Sequence, residues 1–398
     1  MSWVRMLIGV LLLIPCLSAT WFYVYAIYSA RDFFSRSPSI DLSVPPPISI
    51  LKPISGLDRE AYENLASFCQ QAYPTYQVIC GMRDEKDPGA EVVRQLINNF
   101  PSVDIQLVVS DRSLGTNPKV SNLANMLAAA RYPTLLISDS DIRVGPDYLR
   151  RVVQPLCDPN IGVVTCMYRS PTRHVIGVLE ALGISTGYHP SVLVARKIEG
   201  VKFALGSSIV IRRAVLEAIG GFAAIANFLA DDCQLGSLAS RAGYKVVLSD
   251  YVVEHVLSTS RLSELIGRQT RWTRGNRVSR PWGYLGLLFT HGTAMSLLLL
   301  LVSAGSRFSW VVLTTVWLAR LIMGWVVGAR YLNDQAVKRF LWLVPVTDLI
   351  GFALWCRGFV GDTVSWRGQR FRLTKGGELV PLATQPSVLP ANPAHGQP

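Results

Sequence analysis

Charge is scarce in this chain. Only 17% of its 398 residues are Asp, Glu, Lys or Arg, against about 25% in an ordinary soluble domain. Acidic residues are the scarcer sign, 27 against 39 Lys+Arg, which leaves a net charge of +12. Such a composition excludes a disordered chain, a fibrous repeat and a small disulfide scaffold. It predicts a soluble domain joined to membrane segments, in roughly two or three units. No C-x-x-C pair occurs among Cys16, Cys69, Cys80, Cys157, Cys166, Cys233 and Cys356. An odd, scattered set argues against a disulfide framework or a zinc site, and for buried thiols in a reducing compartment. A G-x-G-x-x-G and a Walker loop are also missing, which disfavours a dinucleotide enzyme or a P-loop ATPase.

Long uncharged runs are what the chain has instead. Met6–Ala30 holds 25 residues without a charge. That exceeds the ~20 a helix needs to cross a bilayer and the ~7–15-residue core of a signal peptide. Trp21, Tyr23, Tyr25 and Tyr28 gather at its far end, followed by Arg31 and Arg36, so this end reads as cytoplasmic. Three further runs follow Pro281: Trp282–Ala304, Phe308–Ala329 with Arg320 inside, and Phe340–Cys356 with Asp348 inside. Charges at bilayer depth are expensive, so Arg320 and Asp348 are expected to pair. A parity conflict arises here. Three crossings would put the basic segment Arg357, Arg367, Arg370, Arg372 and Lys375 opposite the soluble domain, yet its charge favours the cytoplasm. One of the three runs is therefore expected to be re-entrant or interfacial. From Leu379 onward the sequence is rich in Pro, Ala and Gln and reads as disordered. The positive charge concentrates beside membrane segments, where anionic lipid rather than nucleic acid accounts for it.

Between Val44 and Leu257 short β-like runs alternate with helical ones. Strands are expected at Ile48–Leu51, Tyr76–Cys80, Ile105–Val109 and Thr134–Ile137, and helices at Tyr62–Gln71, Ala90–Phe100 and Val120–Ala130, with Ser121 or Asn117 near the last helix's start. This rhythm predicts an α/β fold, a mostly parallel sheet with helices on both faces. Such sheets bind ligands beyond the carboxyl ends of their strands.

Carboxylates stand at those ends. Thr134–Ile137 runs into Ser138-Asp139-Ser140-Asp141. Asp139 and Asp141, two apart on an extended chain, would point to one side and suit a hard divalent ion that completes its shell with phosphate and water. An Asp-rich turn is the plain alternative. Asp84, after the second strand, is a loop Asp or a partner for a nucleotide base or ribose. Asp231 and Asp232 precede a helical run, so one caps the helix or serves as a general base. Between Arg261 and Arg280 lie six arginines and one acid, Glu264. A lipid-facing interfacial helix accounts for most of them. Arg271 and Trp272 also suit a departing diphosphate and a sugar ring.

Taken together these residues resemble the ceramide glucosyltransferase family (glycosyltransferase family 21), including its bacterial hopanoid-associated relatives. The resemblance runs through I-S-I-L-K-P-I-S-G-L-D, N-P-K-V-S-N-L, D-S-D-I-R-V, A-D-D, R-Q-T-R-W and S-W-R-G-Q-R-F-R-L. It implies a GT-A nucleotide-diphospho-sugar domain over 44–257. Flanking it are an N-terminal transmembrane helix (1–31), an Arg-rich interfacial segment (258–281), C-terminal membrane segments (282–356) and a basic, then disordered tail (357–398). The catalytic domain is expected to face the cytosol, at the inner membrane if the source is bacterial. By the same resemblance Asp84 binds the nucleotide, Asp139 and Asp141 hold Mg2+ or Mn2+, and Lys119 approaches donor phosphates. Asp232 is the catalytic base with Asp231 beside it, and Arg268, Arg271 and Trp272 form the R-x-x-R-W signature. Asp141 stands where ceramide enzymes tend to have glycine, which leans towards the hopanoid branch. The implied reaction is inverting transfer of one sugar from a UDP-sugar to a lipid hydroxyl: glucose to ceramide, or N-acetylglucosamine to a hopanoid. The rival readings are a processive polysaccharide synthase and a non-catalytic membrane scaffold.

Overall fold

The structure, a computed structural model, describes residues 3–35, 45–172, 174–257, 261–366 and 368–382. Arg36, the domain start at Val44, the boundary at residue 258, Arg367 and the tail from residue 383 lie outside the described residues.

Eight strands form the central sheet: β1 (Ile48–Pro53), β2 (Tyr76–Met82), β3 (Asp104–Val109), β4 (Thr134–Ile137), β5 (Ile142–Arg143), β6 (Ile161–Arg169), β7 (Ile209–Arg212) and β8 (Lys245–His255). Their order is β3-β2-β1-β4-β7-β6-β8-β5. The first four are parallel, β7 is antiparallel to both neighbours, and β5 is an antiparallel edge on β8. Alternation along each strand sends side chains to opposite faces. Ile48, Ile50, Val78, Cys80 and Leu136 enter one core, while Leu51, Ile79, Leu135 and Ile137 enter the other. Burial on both faces explains why these strands read as continuous apolar runs. The chain reverses its direction of travel across the sheet between β1 and β4, which makes their carboxyl ends the switch point where such folds bind ligands.

The N-terminal helix Trp3–Phe34 buries Cys16, Ala19, Tyr23, Ala26, Ala30 and Phe33, an i, i+3/i+4 stripe whose small residues allow close packing. Asp32 at its foot pairs with Arg196 and Lys197 of the α/β domain at 3.4 and 3.1 Å. By length and apolarity three helices can span a membrane, Trp3–Phe34, Arg307–Tyr331 and Gln335–Gly358, and a fourth candidate is the pair Pro281–Thr290 and Gly292–Val302, bent by 58°. At that bend the Tyr23 hydroxyl donates to the Thr290 carbonyl (2.9 Å) and accepts from the Gly292 N–H (3.2 Å), so the broken helix leaves neither group unpaired.

Contacts tie the ends of these helices to one another and to neighbouring elements. Tyr331 stacks on Phe34, so the pass that begins with the bent pair has returned to the α/β domain by residue 331. Asp334 accepts from Ser185 at 2.6 Å. Beyond the helix, the carbonyls of Phe359, Val360, Gly361 and Thr363 take hydrogen bonds from Arg274 and Arg277. The Arg320–Asp348 pair forms as expected, with Nη2–Oδ1 at 2.6 Å and Nε–Oδ2 at 3.0 Å, and Thr293 and Thr186 complete it.

Two expectations are corrected. The disorder expected from Leu379 onward does not begin at that residue: Leu379–Pro381 is β11, which joins β9 (Thr363–Trp366) and β10 (Gln369–Leu373) in an antiparallel sheet whose core of Val364, Phe371, Leu373 and Leu379 packs on Leu229 and Val278. Cys157 and Cys356 are exposed thiols rather than buried ones.

Candidate active site

Asn117 organises the first part of the site. It caps the helix Pro118–Leu127, its Oδ1 accepting from the N–H groups of Lys119 (2.9 Å) and Val120 (3.1 Å). Its Nδ2 donates to the Phe228 carbonyl at 2.7 Å, which ties the cap to the segment before Asp231. Lys119, in the first turn, reaches Asp139 Oδ1 at 2.6 Å and Asp231 Oδ2 at 3.7 Å. Burial opposes its charge, but Asp139, Asp231 and Asp232 outweigh that and raise the ammonium above the ordinary lysine range.

The D-S-D segment is not an extended chain. Asp139 to Ile142 forms a turn between β4 and β5, closed by the Ile142 N–H on the Asp139 carbonyl (3.3 Å). The two carboxylates consequently meet different partners, Asp139 with Lys119 and Asp141 Oδ2 with His255 Nε2 at 3.1 Å. Burial opposes ionisation of Asp141, yet His255 and then Lys52 hold its carboxyl down at about 2. Lys52 is wholly buried beneath this turn. Its ammonium donates to the Asp139 carbonyl and to Ser138 Oγ and lies 3.8 Å from the Phe68 ring centre. Burial pulls it down to about 8 against the carboxylates of Asp141 and Asp139.

Among the described residues no three His, Cys, Asp or Glu side chains converge tightly enough to hold a metal ion by themselves. The carboxylates of Asp139 and Asp141 are nonetheless the hard oxygen donors that a cation sharing its shell with substrate would use. Two ligands about 2.1 Å from an octahedral ion and at right angles lie ~3.0 Å apart. Asp141 and His255 stand at 3.1 Å, while the Asp139 carboxylate is paired with Lys119.

Asp231 and Asp232 open the helix Asp231–Arg241 without capping it. Asp232 Oδ2 accepts from the Gly206 N–H at 2.7 Å and Oδ1 from the Cys233 N–H at 2.7 Å. A Cβ on Gly206 would sit 3.0 Å from Asp232 Oδ2 and 3.6 Å from Lys119 Nζ, so glycine is what lets the backbone approach the carboxylate. Burial, then the neighbouring Asp231, raise the Asp232 carboxyl to about 6. A carboxylate tuned close to neutrality is suited to proton abstraction.

The R-Q-T-R-W arginines divide. Arg268 Nη2 bonds Glu180, buried in the helix Val175–Gly183, at 2.7 Å. Arg271 lies over the Trp366 ring, 5.6 Å from its centre. Trp272 is half-buried on the same helix, Leu262–Ser279. Arg274 and Arg277, expected to face lipid, spend their guanidinium groups on the backbone carbonyls described above. Asp84 is exposed after β2 and accepts from the Lys86 N–H at 2.9 Å. It shares the sheet edge with Asp139 but stands two strand spacings away, roughly 10 Å. Tyr168, at the end of β6, joins the parts. Its hydroxyl is raised above the ordinary tyrosine range by burial, then by Glu180, Asp232 and Asp141.

The structure therefore gathers Lys119, Asp139, Asp231 and Asp232 into one cluster, with Asp141 and His255 beside it. Sequence reasoning missed His255, Lys52, Glu180 and Tyr168. Only Lys52 carried a local signal, a lysine inside an apolar strand.

Comparison with known proteins bears on family and fold. The sequence model of glycosyl transferase family 21 matches residues 11–379. Ceramide glucosyltransferase 1 of Caenorhabditis elegans is 24% identical over 373 residues, 90% of this chain and 77% of its own length. The ceramide glucosyltransferase of Komagataella phaffii is 33% identical over 159 residues, 37% of this chain and 31% of its own. Among solved structures, the mannosyltransferase PcManGT from Pyrobaculum calidifontis, in complex with GDP-Man and Mn2+, superposes with a TM-score of 0.56 at 17% identity, over 89% of this chain and 98% of that one. The shared fold is GT-A.

Proposed function

The chain belongs to glycosyl transferase family 21 and is a glycosyltransferase built on a GT-A domain, and we propose that it moves a single sugar from a UDP-sugar to a membrane-lipid hydroxyl, UDP-glucose to ceramide or a similar lipid, with inversion. The observation that carries this reading is the Asp232 carboxylate, held by the Gly206 N–H and poised at about 6, next to the Lys119–Asp139 pair at the switch point of the sheet. The names of its relatives, ceramide glucosyltransferases, support the sugar and the acceptor class.

In this mechanism Asp232 takes the proton of the lipid hydroxyl. The oxygen forms its bond to the anomeric carbon on the face opposite UDP, and UDP leaves with the bonding pair, so an α-linked donor yields a β-glycoside. Arg271 meets the diphosphate, Trp272 packs on the sugar or acceptor, and Asp84 binds the nucleoside. Lys119 holds Asp139 and Asp231 apart from one another's charge. A divalent cation, Mg2+ or Mn2+, at Asp139 and Asp141 would neutralise charge on the departing diphosphate. The α/β domain faces the cytosol, and its acceptor arrives laterally along the membrane helices, because such a lipid does not diffuse through water.

The test is the full chain in liposomes with each UDP-sugar and with ceramide or a hopanoid polyol, products read by mass spectrometry. Single-sugar lipid is expected. Asp232→Asn should lower kcat by about 10²–10⁴-fold with UDP-sugar binding kept. A fully active Asn variant refutes the role. Long polymer would identify a processive synthase, N-acetylglucosaminyl-hopanoid the other lipid branch, and no turnover of any UDP-sugar a non-catalytic scaffold.

A further inference from the structure

The motif S-W-R-G-Q-R-F-R-L has no part in the chemistry above, yet its sheet touches the site from two directions. On one side β11 and the turn before it pair with the segment that leads into the candidate base. The Leu379 N–H donates to the Asn227 carbonyl (2.7 Å), the Leu229 N–H donates to the Gly377 carbonyl (3.1 Å), and Phe228 and Glu378 form an antiparallel bridge. Residues 226–228 are bonded on their other side to the Lys119 helix: the Asn117 N–H on the Ala226 carbonyl (2.8 Å), Asn117 Nδ2 on the Phe228 carbonyl (2.7 Å) and the Thr116 N–H on Asn227 Oδ1 (2.9 Å). Asp231 and Asp232 follow within a few residues. On the other side Trp366 of β9 lies 5.6 Å from the Arg271 guanidinium, and Trp366, Leu229 and Val278 pack on one apolar core.

We propose that the C-terminal sheet is a clamp on the active site, with Trp366 a positioning residue for Arg271 and Gly377–Leu379 a positioning strand for the Asp231–Asp232 segment. The assignment rests on the roles given above to Arg271 and Asp232. A guanidinium held over an indole face is restricted in the directions it can take. Backbone pairing does the same for a loop at little side-chain cost. A sheet that follows the helix ending at Gly358 thereby links how that helix is seated to how the two halves of the site meet.

Two measurements on the full chain decide this. In a kinetic cycle, Trp366→Ala should lower kcat about tenfold, the size of a partly desolvated cation–π contact, and Trp366→Phe should keep most of it. In an Arg271→Gln background Trp366→Ala should cost less than about twofold, because its effect passes through Arg271. An equal loss in both backgrounds overturns the positioning role. Independently of activity, Leu379→Pro removes the N–H that bonds Asn227. Hydrogen exchange across 226–233 should then quicken by on the order of tenfold while β1 and β4 stay protected. Unchanged exchange there overturns the clamp. If the wild-type chain turns over no UDP-sugar, the glycosyl-transfer reading fails and the exchange result alone decides the clamp.

Discussion

The Asp232 carboxyl offers a prediction with two opposed arms. Burial and then Asp231 raise it to about 6, Lys119 lowers it, and Asp139 adds a smaller push upward. As a general base it works only when ionised, so kcat/KM should climb with pH and level off above about pH 6. Lys119→Met removes the cation that favours the ionised form and should move the acid limb to higher pH. Asp231→Asn removes a like charge and should move it to lower pH. The Lys119 effect can be sized. Asp232 Oδ2 and Lys119 Nζ lie 3.0 and 3.6 Å from a common point beside Gly206, so the charges are at most about 7 Å apart. At an effective dielectric of about 20 that is ~2.4 kcal/mol, or somewhat under 2 pH units. The assay is kcat/KM for sugar transfer in liposomes from about pH 4.5 to 9, with melting curves showing each variant folded. Limbs that move the same way in both variants, or a rate flat through about pH 5–7, refute Asp232 as the base.

Chelation of divalent cations should stop transfer and Mg2+ or Mn2+ restore it. His255→Gln or Asp141→Asn should raise the half-saturating cation concentration by about 10–100-fold without moving the Asp232 limb, and calorimetric cation titration checks both. Arg320→Leu or Asp348→Leu alone should cost ~3–5 kcal/mol, read as a lower melting temperature in detergent, because each strands a buried charge. The double Leu variant should cost less than either single, and additive losses would contradict the pairing. Gly292→Leu should destabilise by ~1–3 kcal/mol, since even a Cβ there would stand 2.8 Å from Ala19 and Val316; an unchanged melting temperature would show that the helices are not packed as described.

Much of the architecture was legible in the sequence because it is local. Ile48–Leu51, Tyr76–Cys80 and Thr134–Ile137 announce strands by apolar runs of fitting length, and Asn117-Pro118 announces a helix start by its chemistry. Asp139 and Asp232 stood out because an α/β sheet presents ligands at strand ends. Arg320 and Asp348 were paired in advance because a charge in an apolar run has few ways to be tolerated. Other features came from contacts that no local pattern encodes. His255 meets Asp141 across 114 residues through the β5–β8 edge, and Lys119 meets Asp139 and Asp231 from separate stretches of the chain. Arg274 and Arg277 read as lipid-facing from spacing alone, whereas the carbonyls that take them lie more than 80 residues on. Hydrophobic period and propensity act over a few residues, so they set which elements form. Where a charge ends up depends on which distant group can satisfy it, and that is settled only once the chain has folded back on itself.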